Sequence, residues 1–183
     1  MSRLTAINPT QATGKAKTLL NTVQTKLGIT PNLMRTMANS PAVLQGYLNF
    51  SGALAEGSLN AQLRELIALA VAQANHCEYC LSAHTAIGQM VGLNESSITT
   101  GRIAFSDDPK LDAALKFVRT IVVSQGEVTD ADVDRVRRAG YSDGDIAEMI
   151  ADVALNIFTN YFNHIAQTEV DFPKVELNSP KTA

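Results

Sequence analysis

From Ser142 onward, one apolar period of about 3.6 residues runs unbroken through Ile146, Ile150, Val153, Ile157, Tyr161 and Ile165. A chain with such a run has to pack a helix of about seven turns; its expected bounds are 143 to about 169. Ser142-x-x-Asp145 marks its start and Thr129-x-x-Asp132 that of a shorter helix, both resembling capping boxes with Asp in place of Glu. Upstream, 12–27 reads as a helix weakened by Gly14 and several threonines, and 27–32 reads as a break. Ser40 as N-cap and Pro41 at the first position open a helix with Val43, Leu44, Tyr47, Leu48 and Leu54 on one face, closed by Gly57-Ser58. Asn60 or Ser58 caps 61–74, and after Asn75-His76 a helix over 77–91 ends at Gly92. A short helix over 94–102 and one from Asp107-Asp108-Pro109 to about 124 complete the set. Strand-like alternation is absent, and the hairpin dipeptide Asp143-Gly144 sits in a helix start. The expectation is an all-α protein, with 1–169 as a single helical domain. The remainder, 170–183, carries Pro173 and Pro180 and is expected to be a C-terminal tail or an arm lying on another surface.

The length of 183 residues suits one domain, and 45% hydrophobic against 18% charged residues suffices for a buried core. A net charge of -3, with 15 basic and 18 acidic side chains dispersed, gives no basic stripe, so neither nucleic acid nor an anionic membrane surface is an expected partner. No apolar run approaches the ~18 residues of a membrane span, and the start, MSRLTAINPTQATGK, lacks the apolar centre of a secretory signal. The chain has two cysteines, spaced Cys-x-x-Cys. That excludes a disulfide scaffold and points to a reducing compartment, so a soluble cytoplasmic location is expected. No Gly-rich phosphate loop is present, and no organic cofactor is expected.

The chemistry concentrates in His76-Cys77-Glu78-Tyr79-Cys80-Leu81-Ser82-Ala83-His84. With Cys77 at the origin, Cys80 and His84 stand at about 300° and about 340° around a helix, so all three share a face. Cys77 falls in the first turn, where the helix dipole favours a thiolate; His84 lies one turn beyond Cys80, close enough to hydrogen-bond its sulfur. The two sulfurs can close a disulfide within one turn. Three other uses exist for such a pair. It can be plain core, it can join His84 and a fourth ligand on zinc, or it can attach haem, which position 81 (Leu) excludes. Glu65 has no Lys or Arg at i±3 or i±4; it is either an exposed helix glutamate or a carboxylate facing a semi-buried site, where its pKa would rise. Asn156, Asn160, Asn163, His164 and Gln167 form a polar stripe beside the apolar face of the last helix. They line a site or subunit contact, or form a satisfied packing network.

Glu65, twelve residues before Cys77-x-x-Cys80-x-x-x-His84, resembles the signature of the alkylhydroperoxidase D-like (AhpD-like) branch of the carboxymuconolactone decarboxylase family. Leu63-Arg64-Glu65-Leu66-Ile67-Ala68-Leu69 is similar to that family's core, which here covers about 45–125. Gly28-Ile29-Thr30-Pro31-Asn32, Asn39-Ser40-Pro41, Asn160-Tyr161-Phe162-Asn163-His164 and Asp171-Phe172-Pro173 resemble the branch labelled uncharacterised peroxidase-related.

The resemblance implies a multi-helix bundle of the AhpD-like type that assembles as a homo-oligomer, a trimer or hexamer. It also implies a thiol-dependent alkylhydroperoxide reductase or disulfide oxidoreductase, with a hydroperoxide substrate and a dithiol reductant of the lipoyl or thioredoxin-like kind. By position, Cys80 would attack the peroxide, Cys77 would close the disulfide, and His84 with Glu65 would relay protons. Founding members carry a histidine where Tyr79 stands; Tyr79 or His76 is the substitute available, and His164 and Asn160 are further accessory candidates. The alternatives are a metal- or small-ligand-binding module using Cys77, Cys80 and His84, and a cofactor-free lyase like the family's decarboxylases.

Overall fold

The computed structural model describes residues 2–177, so the end of the expected tail, 178–183, lies outside the described residues. Among the described residues there are helices and no strands: α1 (Gly14–Leu27), α2 (Asn32–Met37), α3 (Pro41–Ala55), α4 (Ala61–Ala74), α5 (Glu78–Met90), α6 (Glu95–Arg102), α7 (Pro109–Val123), α8 (Asp130–Arg138) and α9 (Asp143–Ala166). The starts follow the sequence. Asn60 and Asn94 accept from the backbone N–H groups of Leu63 and Ser97, and Asp108 from those of Lys110 and Leu111. Thr129 with Asp132, and Ser142 with Asp145, make full reciprocal capping boxes. α1 ends on Gly28 at φ 74, a left-handed conformation that glycine adopts without a Cβ penalty.

α4 is the helix around which the others assemble, packing against α5, α6, α7 and α9. Its Leu63, Leu66, Ile67, Leu69 and Val71 are buried, and the alanines between them let neighbours approach from several sides. α5 follows after a tight turn at Asn75 and His76, the latter at φ 55, so the end of α4 and the start of α5 are held side by side.

Three expectations about helices need correction. α2 falls in what reads as the approach to Ser40; its six residues are too few for periodicity to register. It is held from outside, by the Asp171 carboxylate accepting from the Asn32 N–H (2.7 Å) and the Tyr79 hydroxyl accepting from the Leu33 N–H (3.0 Å). α9 stops at Ala166 rather than near 169, because Gln167 turns left-handed. Most consequentially, its apolar stripe does not face inward as a whole: Ile150, Tyr161 and Ile165 are exposed, while Asp152, Asn156, Thr159, Asn160 and Asn163 are buried. Of the polar stripe, Asn156, Asn160 and Asn163 face the core, where a polar site lies under them, while His164 and Gln167 are exposed.

The described part of the C-terminal arm lies on its own chain. Asn32 Nδ2 donates to the Glu169 carbonyl (3.1 Å), the Val175 N–H to Ser82 Oγ (3.0 Å), and the Arg102 guanidinium to the Glu176 carbonyl (2.7 Å). These bonds carry Phe172 onto Tyr79, ring edge against ring face at 5.9 Å.

Candidate active site

Cys77 is the N-cap of α5, and its sulfur accepts from the Cys80 N–H at 3.4 Å. That places Cys80 one turn inside the helix and both sulfurs in the buried interior as free thiols. α9 supplies the other wall: Asn163 Nδ2 donates to Cys80 Sγ at 3.2 Å, and Thr159 Oγ1 lies 4.0 Å from it. The two thiols are driven apart in acidity. The hydrogen bond from the Cys77 thiol, with the His84 charge and the Asn163 and Asn160 amides, outweighs burial and lowers the Cys80 pKa. The same hydrogen bond, reinforced by burial, raises Cys77. Charge is therefore favoured on Cys80 over Cys77, although the helix N-terminus alone would favour Cys77.

One turn further along α5, His84 Nδ1 stands 2.7 Å from Glu65 Oε2 of α4. Glu65 is thus the carboxylate of a semi-buried site rather than a solvent-facing helix residue. Burial opposes the charge on His84, but Glu65, the Cys80 thiolate and Asp152 favour it and raise its pKa to about 9.

Cys80 opens onto a cavity of about 310 Å³. Its body is apolar, with Leu33, Met34, Leu54, Ile87 and Phe172 among its walls; its polar side carries Glu65, His84, Tyr47, Arg64 and Asp152. Cys77 does not line it, so one sulfur faces the cavity and the other stands behind.

Asp152 is the site residue that sequence reading missed. It is buried, Asn156 Nδ2 approaches its Oδ1 at 3.4 Å, and its Oδ2 has no hydrogen-bond partner. Burial, with Glu65 nearby, raises its pKa to about 7 despite the His84 and Arg64 charges. Extending the amide stripe from Asn156 back by one turn reaches Asp152, and that was the available signal. Tyr47, whose pKa burial raises to about 12, also belongs here.

The accessory candidates separate. Tyr79 lines the cavity, but its hydroxyl accepts from the Leu33 N–H, and burial raises its pKa, which leaves it a structural tie rather than a proton carrier. His76 is exposed in the turn before α5 and is not among the cavity's lining residues. His164 is exposed too; its Nε2 pairs with the Asn75 carbonyl at 2.9 Å. Asn160 is fully buried, and its Oδ1 accepts from Asn75 Nδ2 at 3.0 Å. Among the described residues, no group of three or more His, Cys, Asp or Glu stands at metal-holding spacing. Nor is any helix there long and apolar enough to cross a membrane.

Known proteins resemble this chain in sequence and in fold. Residues 41–120 match the model of the carboxymuconolactone decarboxylase family. The fold superposes with TM-score 0.84 on an alkylhydroperoxidase AhpD core structure, an uncharacterized peroxidase-related protein from Ralstonia eutropha, at 25% identity over 93% of this chain and 92% of that one. It superposes with TM-score 0.78 on the debrominase Bmp8, as a variant in complex with 2,3,4-tribromopyrrole, at 21% identity over 93% of this chain and 94% of that one. An uncharacterized protein of Haemophilus influenzae is 56% identical over 45 residues, which is 24% of this chain and 40% of that protein. The family match over 41–120 and the shared fold support placing the chain in the carboxymuconolactone decarboxylase family, with the AhpD-like fold.

Proposed function

We propose that the protein is a thiol-dependent reductase of bulky apolar hydroperoxides. The observation that carries this reading is the asymmetry of the pair: Cys80, the more acidic thiol, faces an apolar cavity beside His84, while Cys77 stands behind it. The Cys80 thiolate attacks the terminal oxygen of R–O–OH, the O–O bond breaks, and the alkoxide leaves as ROH with a proton from the His84 imidazolium. Cys80 is then a sulfenic acid. The Cys77 sulfur attacks the Cys80 sulfur from the side away from the cavity, and the S–OH oxygen departs as water with the Cys77 proton. A dithiol of the lipoyl or thioredoxin-like kind reduces the disulfide to the Cys77 thiol and the Cys80 thiolate, its second proton returning to His84. A cytoplasmic, reducing setting and a homo-oligomer belong to the same proposal.

A second reading is favoured by the debrominase neighbour. A thiolate in this place takes up the halogen of a C–Br bond, the carbon gains a proton, and Cys77 expels bromide as the disulfide forms. Both readings oxidise the pair by two electrons and differ in substrate.

Intact mass of the reduced protein, before and after one equivalent of cumene hydroperoxide or of a bromopyrrole, separates them. Loss of two hydrogens with the hydroperoxide alone is the expected result, with a trapped sulfenic acid in Cys77→Ser and no reaction in Cys80→Ser. Oxidation by the bromopyrrole alone replaces the first reading with the second, and an unchanged mass with both ends the redox assignment.

A further inference from the structure

Two side-chain amides stand behind the reactive sulfur, one bonded to it and the other unpaired. Asn160 and Asn163 lie on the face of α9 turned toward α5, and both are buried. Asn163 Nδ2 donates to Cys80 Sγ at 3.2 Å. Asn160 is held at its other end: Asn75, the C-cap of α4, donates to its Oδ1 at 3.0 Å, and Asn75 is in turn fixed by His164 Nε2 on its carbonyl. That leaves Asn160 Nδ2 buried, close enough to Cys80 to favour its charged form, and without a hydrogen-bond partner. A buried donor left unpaired is costly unless some state of the protein satisfies it. Neither amide lines the cavity, so the side of the sulfur that would meet a substrate stays clear.

We propose that Asn163 and Asn160 form a two-amide cradle that holds the Cys80 sulfur as an anion with its free lone pair turned to the cavity. In the thiol, one donor is engaged and the other waits; when the sulfur carries charge, both close on it, because hydrogen bonds to an ionised acceptor are shorter and stronger. His164, exposed and away from the cavity, acts at third hand by fixing Asn75. The two asparagines are positioning residues. This deepens the reductase reading by assigning what sets the thiolate, and it also holds for any other chemistry begun by Cys80.

The other groups around Cys80 and its cavity that titrate or carry charge are Cys77, His84 and Tyr79 from α5 and its cap, Arg64 and Glu65 from α4, Tyr47 from α3 and Asp152 from α9. The test keeps these fixed. In a Cys77→Ser background, which leaves one thiol and retains a hydroxyl donor, the rate of alkylation by iodoacetamide is followed against pH for Asn163→Asp, Asn163→Leu and Asn160→Leu. Each is expected to move the alkylation midpoint up, slowing the reaction about tenfold for each unit moved at a pH well below the midpoint. Asn163→Asp, of equal size and opposite sense, should move it furthest. A lowered melting temperature with an unmoved midpoint would mean the amides are merely structural, and the cradle falls.

A measurement without asparagine variants runs beside it: the side-chain amide resonances of Asn160 and Asn163 in the reduced native chain. They should shift with pH at the Cys80 midpoint, and stay still in Cys80→Ser. Resonances indifferent to Cys80 also overturn the proposal. Since neither experiment uses a peroxide, a chain that shows the cradle yet reduces no hydroperoxide loses the function proposed above and keeps this one.

Discussion

His84 Nδ1 and Glu65 Oε2 meet at 2.7 Å across the gap between α5 and α4, nineteen residues apart in sequence. The pair fixes which ring nitrogen is bound to the carboxylate and leaves Nε2 as the one available for proton transfer. It also makes His84 a cation at neutral pH, its pKa raised to about 9 against the opposing effect of burial.

Replacing Glu65 with Gln keeps a hydrogen-bonding oxygen and removes the charge. The His84 titration, read by NMR of its ring, should fall from about 9 toward its ordinary 6.5. With about one-tenth of the imidazolium left at pH 7.5, peroxide reduction should drop by about tenfold. An unmoved ring titration would show that Glu65 does not set the charge on His84.

Asp152 gives the fold a pH signature of its own. Its folded pKa of about 7 lies above the ordinary 3.8, so the neutral acid is the form the fold prefers. The stability this group permits is fully present below about pH 4 and is lost as pH rises through 7; a shift of roughly three units corresponds to at most about 4 kcal/mol. Asp152→Asn should therefore match the native chain near pH 4 and exceed its unfolding free energy at pH 8. His84, also raised, loses its contribution later, between 6.5 and about 9, and the variant should keep that limb. Parallel stability curves for the two chains across pH 4–7 would contradict the assignment.

The constellation Glu65, Cys77, Cys80 and His84 was legible because three of its members lie within eight residues on one helix, and spacing alone puts them on a face. Whether Glu65 reaches His84 was not legible: that depends on the turn at Asn75 and His76, where a positive φ sets the angle between α4 and α5. The failure on α9 has a different origin. Hydrophobic period identifies a helix but assumes that its apolar stripe is the buried one. Here Asp152, Asn156, Asn160 and Asn163 are drawn inward by the thiol, the cavity and one another, and Ile150, Tyr161 and Ile165 are turned out. α2 was invisible for a third reason, since its partners, Asp171, Tyr79 and the Ile7 carbonyl bound by Arg35, are remote in sequence.

Phe172 belongs to the arm and forms part of the cavity wall over Tyr79. Phe172→Ala removes a half-buried ring, at a stability cost of about 1–2 kcal/mol. It also opens the part of the cavity wall that the arm supplies. Modification of Cys80 by a bulky maleimide should speed up relative to iodoacetamide, and preference for large over small hydroperoxides should narrow. A constant ratio of the two reagents would mean that substrates reach the sulfur by a route the arm does not border.

The outward stripe of α9 carries the prediction about assembly. Ile150 (50% exposed), Phe158 (40%), Tyr161 (54%) and Ile165 (67%) stand at spacings that keep them on one side of a long helix. Singly exposed apolar residues are ordinary, but four large ones along one side of a helix are what a contact surface would use. A second copy of this chain is the partner the stripe suits best: the row is long, apolar and free of charge, and a helix can pack against its own symmetry mate along such a seam. Light scattering on the native chain should give a mass above 19.6 kDa by an integral factor, three or six on the expectation drawn from the family. Ile165→Glu or Tyr161→Glu, each placing a charge in the seam, should return the monomer while leaving the Cys80 alkylation midpoint unchanged, because neither side chain lines the cavity. A native chain that scatters as a monomer at micromolar concentration would remove homo-oligomerisation from the proposal and leave the stripe to some other partner.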